Sequence, residues 1–306
     1  MAQCVLRATD ATKKYGQSTA LKKVNIEISR GQIYGLIGLN GAGKSTFMRA
    51  VTGLISLDGG EIELFGKSGA EALRKARRKM GQSIETPAIY PNLTATQNLE
   101  IQRLIGGVPD PGEVGRILKV IELSDTGKKK AKNFSFGMKQ RLGLGIALIT
   151  NPEFLILDEP TNGLDPRGII EMRNLIRRLS EEQGITLLVS SHILDELSLV
   201  ATHFGIIHKG EMIRELGADE LAKEARQYIR IVVDKTAEAV AMLRERFKVS
   251  EYDVSGKNEI QVFERFDLTG EINAALVQSG IMVREISLSE RKLEDYFMNL
   301  AEVRGQ

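Results

Sequence analysis

Apolar residues in the first two-thirds of the chain fall into two kinds of pattern. Short, near-continuous runs at 33–37, 154–157 and 186–190 have the form of strands buried on both faces of a sheet. Apolar stretches with helical spacing cover 44–53, 94–104, 137–150, 168–183 and 192–201. Strands alternating with helices predict an α/β domain with a largely parallel sheet. Residues 5–9, 25–28 and 62–64 read as β-structure at its edge, and 204–208 with 211–215 as a closing hairpin turning on Lys209-Gly210.

The remainder of the chain has another rhythm. Strand at 229–233, helix at 237–247, strands at 249–254 and 259–263, helix at 268–279 and strand at 282–287 give the order βαββαβ, the ferredoxin-like arrangement. An amphipathic helix at 290–300 follows. The predicted organisation is a domain over 1–220, with a boundary near 217–226, and a small α+β domain over 226–306.

Composition narrows the function. An apolar fraction of 42% and a charged fraction of 27% belong to a folded globular protein. Net charge is +2, which gives no long-range attraction to nucleic acid or anionic lipid. The single cysteine, Cys4, leaves no internal disulfide or cysteine-rich metal site and fits a reducing compartment. The start of the chain lacks the apolar stretch of a signal peptide, and the runs near 145–149 and 185–189 are too short to cross a bilayer. Work at a membrane would therefore require another chain as anchor.

Two motifs carry chemistry. Gly38-Leu-Asn40-Gly41-Ala-Gly43-Lys44-Ser45-Thr46 fits G-x-x-x-x-G-K-[ST], after an apolar strand and before a helix. Its glycines let backbone N–H groups converge on phosphate oxygens, and the helix adds its positive end. Lys44 is placed for the β- and γ-phosphates of ATP, and the Ser45 hydroxyl for Mg²⁺. The plainer reading, a glycine-rich turn with a chance lysine, does not account for the flanking strand and helix. Phe154-Leu-Ile-Leu157-Asp158-Glu159 brings two carboxylates to the carboxyl end of a strand. Asp158 is positioned to hold Mg²⁺ through its water shell, and Glu159 to polarise the attacking water as general base.

Between and after these elements the chain resembles the ABC ATPases. Phe134-Ser135-Phe136-Gly137-Met138-Lys139-Gln140-Arg141 looks like the family's signature loop, Asn162-Gly163-Leu164-Asp165 like its D-loop, and Ser191-His192 like its switch histidine. Tyr15 stands where the family stacks an aromatic ring on adenine. The resemblance covers about residues 1–217 and implies a P-loop NTPase fold of ABC type: a mostly parallel core sheet, an antiparallel β edge and a helical subdomain at about 86–150. It further implies a head-to-tail homodimer, or pairing with a second ATPase subunit, around two MgATP. Ser135 and the Gly137 amide of one subunit then face the γ-phosphate held by the other. His192 bonds the γ-phosphate and orients the water, while Asp165 belongs to the D-loop and is also placed to cap the next turn, two compatible roles.

The sequence departs from the family at three points. Glu85 stands where Gln is usual, with Gln82 as the competing position for this Mg²⁺-facing role; Phe136 replaces Gly; and Met138 replaces Gln. With these features, and with Arg284–Leu288 and Leu293–Phe297, the chain resembles the bacitracin- and lantibiotic-type exporter and self-immunity branch. The implied protein is cytoplasmic, on the inner membrane face through a transmembrane permease subunit. Tyr90, Leu93 and Leu99 are candidates for the coupling surface or, on the plainer reading, packing of the helical subdomain. A soluble ABC ATPase acting on nucleic acid or ribosomes is the alternative; no nucleic acid partner is expected from one motif set and a near-neutral charge. A small-molecule kinase explains neither the signature loop nor the Asp158–Glu159 pair.

Overall fold

The computed structural model describes residues 3–84, 88–224 and 226–290. It divides into two compact units, Met1–Ala218 and Asp219–Gln306.

The first unit begins with two long strands, β1 (Cys4–Tyr15) and β2 (Ser18–Ser29), then β3 (Ile33–Ile37), α1 (Lys44–Thr52), β4 (Gly59–Leu64), α2 (Ala70–Ala76) and β5 (Met80–Ser83). Three helices follow: α3 (Ala95–Ile105), α4 (Gly112–Val120) and α5 (Phe136–Leu148). The unit continues through β6 (Phe154–Leu157), α6 (Pro166–Glu181), β7 (Thr186–Ser191), α7 (Leu194–Ser198), β8 (His203–His208) and β9 (Glu211–Gly217).

A six-stranded sheet runs β5-β6-β7-β3-β8-β9, in which only the hairpin strand β9 pairs antiparallel. Its register aligns the carboxyl ends that matter: Ser83 pairs with Leu157, Leu157 with Val189, and Ile37 with Ser191. All residues of β3, β6 and β7 are buried, as expected for strands covered on both faces. An antiparallel sheet, β2-β1-β4, forms the edge layer. One core joins the two sheets through Leu6, Leu36, Phe47, Val51, Phe154 and Leu188.

The helical segment packs on its own apolar positions, including Leu99, Ile117 and Leu144. Leu99 is fully buried, so it packs this segment and cannot form part of a coupling surface. A Cβ on Gly145 would lie 2.7 Å from Ile121 Cδ1, so close packing leaves no room for a side chain there. α3 starts with a capping box, in which the Thr94 hydroxyl accepts from Gln97 N and Gln97 Oε1 accepts from Thr94 N. Buried Asn98 accepts from Tyr90 N and donates to the Tyr90 and Thr94 carbonyls, fixing the preceding loop.

The second unit follows α8 (Ala218–Glu224) with β10 (Gln227–Val233), α9 (Thr236–Arg246), β11 (Tyr252–Ser255), β12 (Glu259–Val262), α10 (Thr269–Gln278) and β13 (Val283–Glu290). Its antiparallel sheet has the order β11-β12-β10-β13. Ile229, Ile231, Val233, Ile260 and Val262 meet Leu243, Ile272 and Leu276 in its core. Arg230, on the central strand, ties both neighbours by ion pairs to Glu259 at 2.9 Å and Glu285 at 2.6 Å. The helix expected at 290–300 falls, from 291 onward, outside the described residues.

Candidate nucleotide and hydrolysis site

The loop after β3 is shaped by positions where a side chain has no space. A Cβ on Gly38 would lie 2.5 Å from the Ile207 carbonyl oxygen; on Gly43, at φ +113°, it would lie 2.8 Å from that of Ala20. Asn40 and Gly41 form the exposed tip. α1 then opens at Lys44 with Gly43 as its N-cap, no side chain capping its first turn and no acidic residue within it. Its leading N–H groups are thus available to an anion, and the helix dipole favours one. Ser45 and Thr46, half-buried, sit in that turn.

The Lys44 side chain is buried and turned toward the sheet. Its Nζ donates to the Gly38 carbonyl at 2.5 Å and lies 3.1 Å from Glu159 Oε1. The latter is an ion pair that sets the lysine ammonium directly against the buried Glu159 Oε1.

Glu159 is held from three sides. Its backbone takes φ +49°, a left-handed conformation costing about 1–2 kcal/mol for a residue with a Cβ. Its amide donates to Ser190 Oγ at 2.9 Å, and its Oε2 lies 2.8 Å from His192 Nδ1. Fully buried Ser190 also donates from Oγ to Asp158 Oδ1 at 2.5 Å, while the Asp158 amide donates to the Ser83 carbonyl at 2.9 Å. Ser190 therefore holds the Asp158 carboxylate and the Glu159 backbone. The sequence reading passed over it as one more residue of an apolar run; the serine pair ending β7 was the available signal. His192 is not a helix cap: Ser191 Oγ accepts from Ile193 N at 2.9 Å, and α7 begins only at Leu194, later than the expected 192.

A second cluster lies along the starts of α5 and α6. Exposed Ser135 caps α5, its Oγ accepting from Met138 N at 3.3 Å. Asp165 caps α6, its Oδ1 accepting from Gly168 N at 3.2 Å ahead of Pro166. Leu164 packs beneath both, 3.5 Å from a Cβ built on Gly137 and 3.3 Å from one on Gly168. Tyr15, at the end of β1, is 49% exposed, with Lys13 Nζ 5.5 Å from its ring centroid, and thus presents a ring for stacking.

Glu85 lies outside the described residues. Gln82 is exposed on β5 and lines a cleft of about 370 Å³ with Thr52, Arg77, Gln102 and Thr150. A larger cleft of about 790 Å³ is lined by Lys22, Asn25, Glu211 and Glu215 and includes none of Lys44, Asp158, Glu159 or His192. No cluster of three or more potential metal-ligating side chains occurs among the described residues. This donor set suits Mg²⁺, which takes one or two protein ligands together with substrate phosphates. The glycine-rich loop, the uncapped helix start and the Glu159 carboxylate beside Lys44 together fit a nucleotide phosphate and its attacking water.

Comparison with known proteins agrees with this chemistry. The ABC transporter family model matches residues 21–162. The chain is 41% identical over 296 residues to the bacitracin transport ATP-binding protein BcrA of Bacillus licheniformis, covering 97% of each. It is 44% identical over 211 residues to the lantibiotic transport ATP-binding protein SrtF of Streptococcus pyogenes, covering 69% of this chain and 90% of that one. Among solved structures, the ATP-binding cassette MJ0796, dimeric in a post-hydrolysis state with ADP and Pi, superposes with a TM-score of 0.63 at 27% identity, over 70% of this chain and 98% of that one. With Lys44, Glu159 and His192 brought together at one sheet edge, and with relatives matching along nearly its whole length, this chain belongs to the ATP-hydrolysing, ATP-binding subunits of ABC transporters.

Proposed function

We propose that the chain binds MgATP through the Lys44 loop, hydrolyses it as a dimer, and drives a separate permease that exports a peptide antibiotic of the bacitracin or lantibiotic kind. The observation that carries the chemistry is the Lys44–Glu159–His192 arrangement at the ends of β3, β6 and β7. Lys44 Nζ moves from Gly38 O and Glu159 to the β- and γ-phosphates, while loop amides from Gly38 to Thr46 surround them. Ser45 and Asp158 would hold Mg²⁺, with Glu85 as the further expected ligand, and the bound ion would supply neutralisation of charge on the transferred phosphoryl group. Glu159 Oε1 accepts the proton of the attacking water. His192 steadies Oε2 and reaches the γ-phosphate. Tyr15 stacks on adenine.

Ser135 and Gly137 sit at a helix start on an exposed edge, the geometry required to meet a γ-phosphate carried by a second subunit. Among the described residues no helix is long and apolar enough to cross a membrane, so the transport pathway is assigned to another chain. Tyr90, Leu104 and Ile105 leave 51%, 63% and 70% of their surface exposed around α3, which suits docking on a permease. The peptide-antibiotic substrate rests on the names of the similar proteins.

Gentle solubilisation and co-purification from the native cell test this reading. A multi-span membrane protein at near one-to-one stoichiometry is expected. Ribosomes or nucleic acid in its place would overturn the transporter assignment.

A further inference from the structure

Phe136, the bulky residue in place of the family's glycine, packs on the D-loop of its own chain. Gly163 has φ +77°, and a Cβ there would lie 3.2 Å from Phe136 Cε1 and 3.4 Å from Cζ. The ring edge therefore covers the bare backbone of that turn, although half of the side chain's surface stays exposed. The turn is tied directly to the hydrolysis site, since Asn162 N donates to the Glu159 carbonyl at 3.1 Å. It is also tied to the helix after His192, because Thr161 Oγ donates to Glu196 Oε2 at 2.7 Å.

We propose that Phe136 is a positioning residue that locks the Ser135–Gly137 edge to the Glu159 turn and so makes the two ATP sites of the dimer cooperative. The proposal rests on the dimeric reading above. In such a dimer the Ser135 edge meets the ATP of the other subunit, while Glu159 acts on the ATP of its own. A shift of α5's first turn on engaging the one phosphate then moves the ring, and with it the Gly163 backbone and Glu159. Leu164 also lies beneath this edge, with Cδ2 3.5 Å from where a Cβ on Gly137 would stand. The device is a short packed chain between two sites, each of which biases its position.

The test is hydrolysis rate against ATP concentration for the full chain with its permease, in wild type, Phe136→Gly, Phe136→Ala and Phe136→Leu. The wild-type Hill coefficient is expected near its two-site limit of about 2. It should fall toward 1 in Phe136→Gly and Phe136→Ala, and return in Phe136→Leu, whose side chain still reaches Gly163. Phe136→Ala preserves the helix start and reads the same loss should the glycine variant not fold. An unchanged coefficient in the variants lacking the ring, or a wild-type coefficient of 1, overturns the interlock. Ser135→Ala separates the two levels: wild-type behaviour there would bring down the dimeric reading itself, and the interlock with it.

Discussion

Ser190 Oγ donates to Asp158 Oδ1 at 2.5 Å and in the same position accepts the Glu159 amide at 2.9 Å. One buried hydroxyl on β7 thus holds a carboxylate and the neighbouring backbone amide just past the end of β6. Replacing Ser190 with Ala leaves a carboxylate oxygen and a backbone N–H without this partner, and the expected cost is about 1–3 kcal/mol. Denaturant unfolding measures that cost, and phosphate release should slow about tenfold or more because the Asp158 carboxylate and the Glu159 backbone lose their support. A variant matching wild type in both would show that the strand alone places them.

Glu159→Gln keeps the shape of the side chain and removes its basicity. General bases contribute about 10²–10⁴-fold, so turnover should drop by that order. ATP binding should persist, and an ATP-bound dimer should accumulate on size-exclusion chromatography. Near-wild-type turnover would remove Glu159 as the base.

Asn98 is 1% exposed, and its amide holds the Tyr90–Thr94 loop with three hydrogen bonds. Asn98→Leu should destabilise the chain by about 2–3 kcal/mol, because buried backbone groups lose their partners. Thermal unfolding reads that loss, and proteolysis should show earlier cutting near residue 90. Unaltered stability and cleavage would mean that the loop is held by other contacts.

Glu215 accepts a 2.5 Å hydrogen bond from Tyr34 on β3, and burial raises its pKa above the ordinary 4.5 despite that bond. Burial likewise pushes the Tyr34 hydroxyl well above its usual range. A raised carboxyl pKa means that the folded state holds the proton more tightly than the unfolded chain. The contribution of Glu215 to stability is therefore complete below pH 4.5 and is lost as pH rises through the folded-state value. Glu215→Gln retains an acceptor for Tyr34 without the charge. Its melting temperature relative to wild type should increase as pH rises from below 4.5, and a pH-independent difference would contradict the assignment.

The parts of the site that sequence reading reached are those written in consecutive residues. Gly38 to Thr46 and Phe154 to Glu159 each carry strand, turn and chemistry within one short stretch, and the structure converges them on one edge. The parts missed depend on partners distant in the chain. Ser190 looks like strand filler until β6 lies beside it, and Leu99 looks like a docking residue until α4 and α5 bury it. The packing of Phe136 on Gly163 joins positions 27 residues apart and leaves no periodic trace. Helix α4 was hidden because Pro109, Pro111, Gly112 and Gly115 give its sequence the composition of a loop, although Val114 and Ile117 bury one face.

The placement of the helical segment has a consequence for how such a subunit can diversify. All of α3, α4 and α5 is inserted between β5 and β6, yet those two strands pair directly, Ser83 beside Leu157. Hydrolytic spacing is set by that pairing and by the strands beyond it, not by the length or surface of what loops out between them. Mutation can therefore rewrite α3 and α4 to suit a new partner while the reaction edge and the start of α5 keep their dimensions. A chimera that exchanges 88–130 between relatives with different cargo, leaving Ser135–Gly137 and α5 in place, should hydrolyse ATP like its parent and take its partner from the donor.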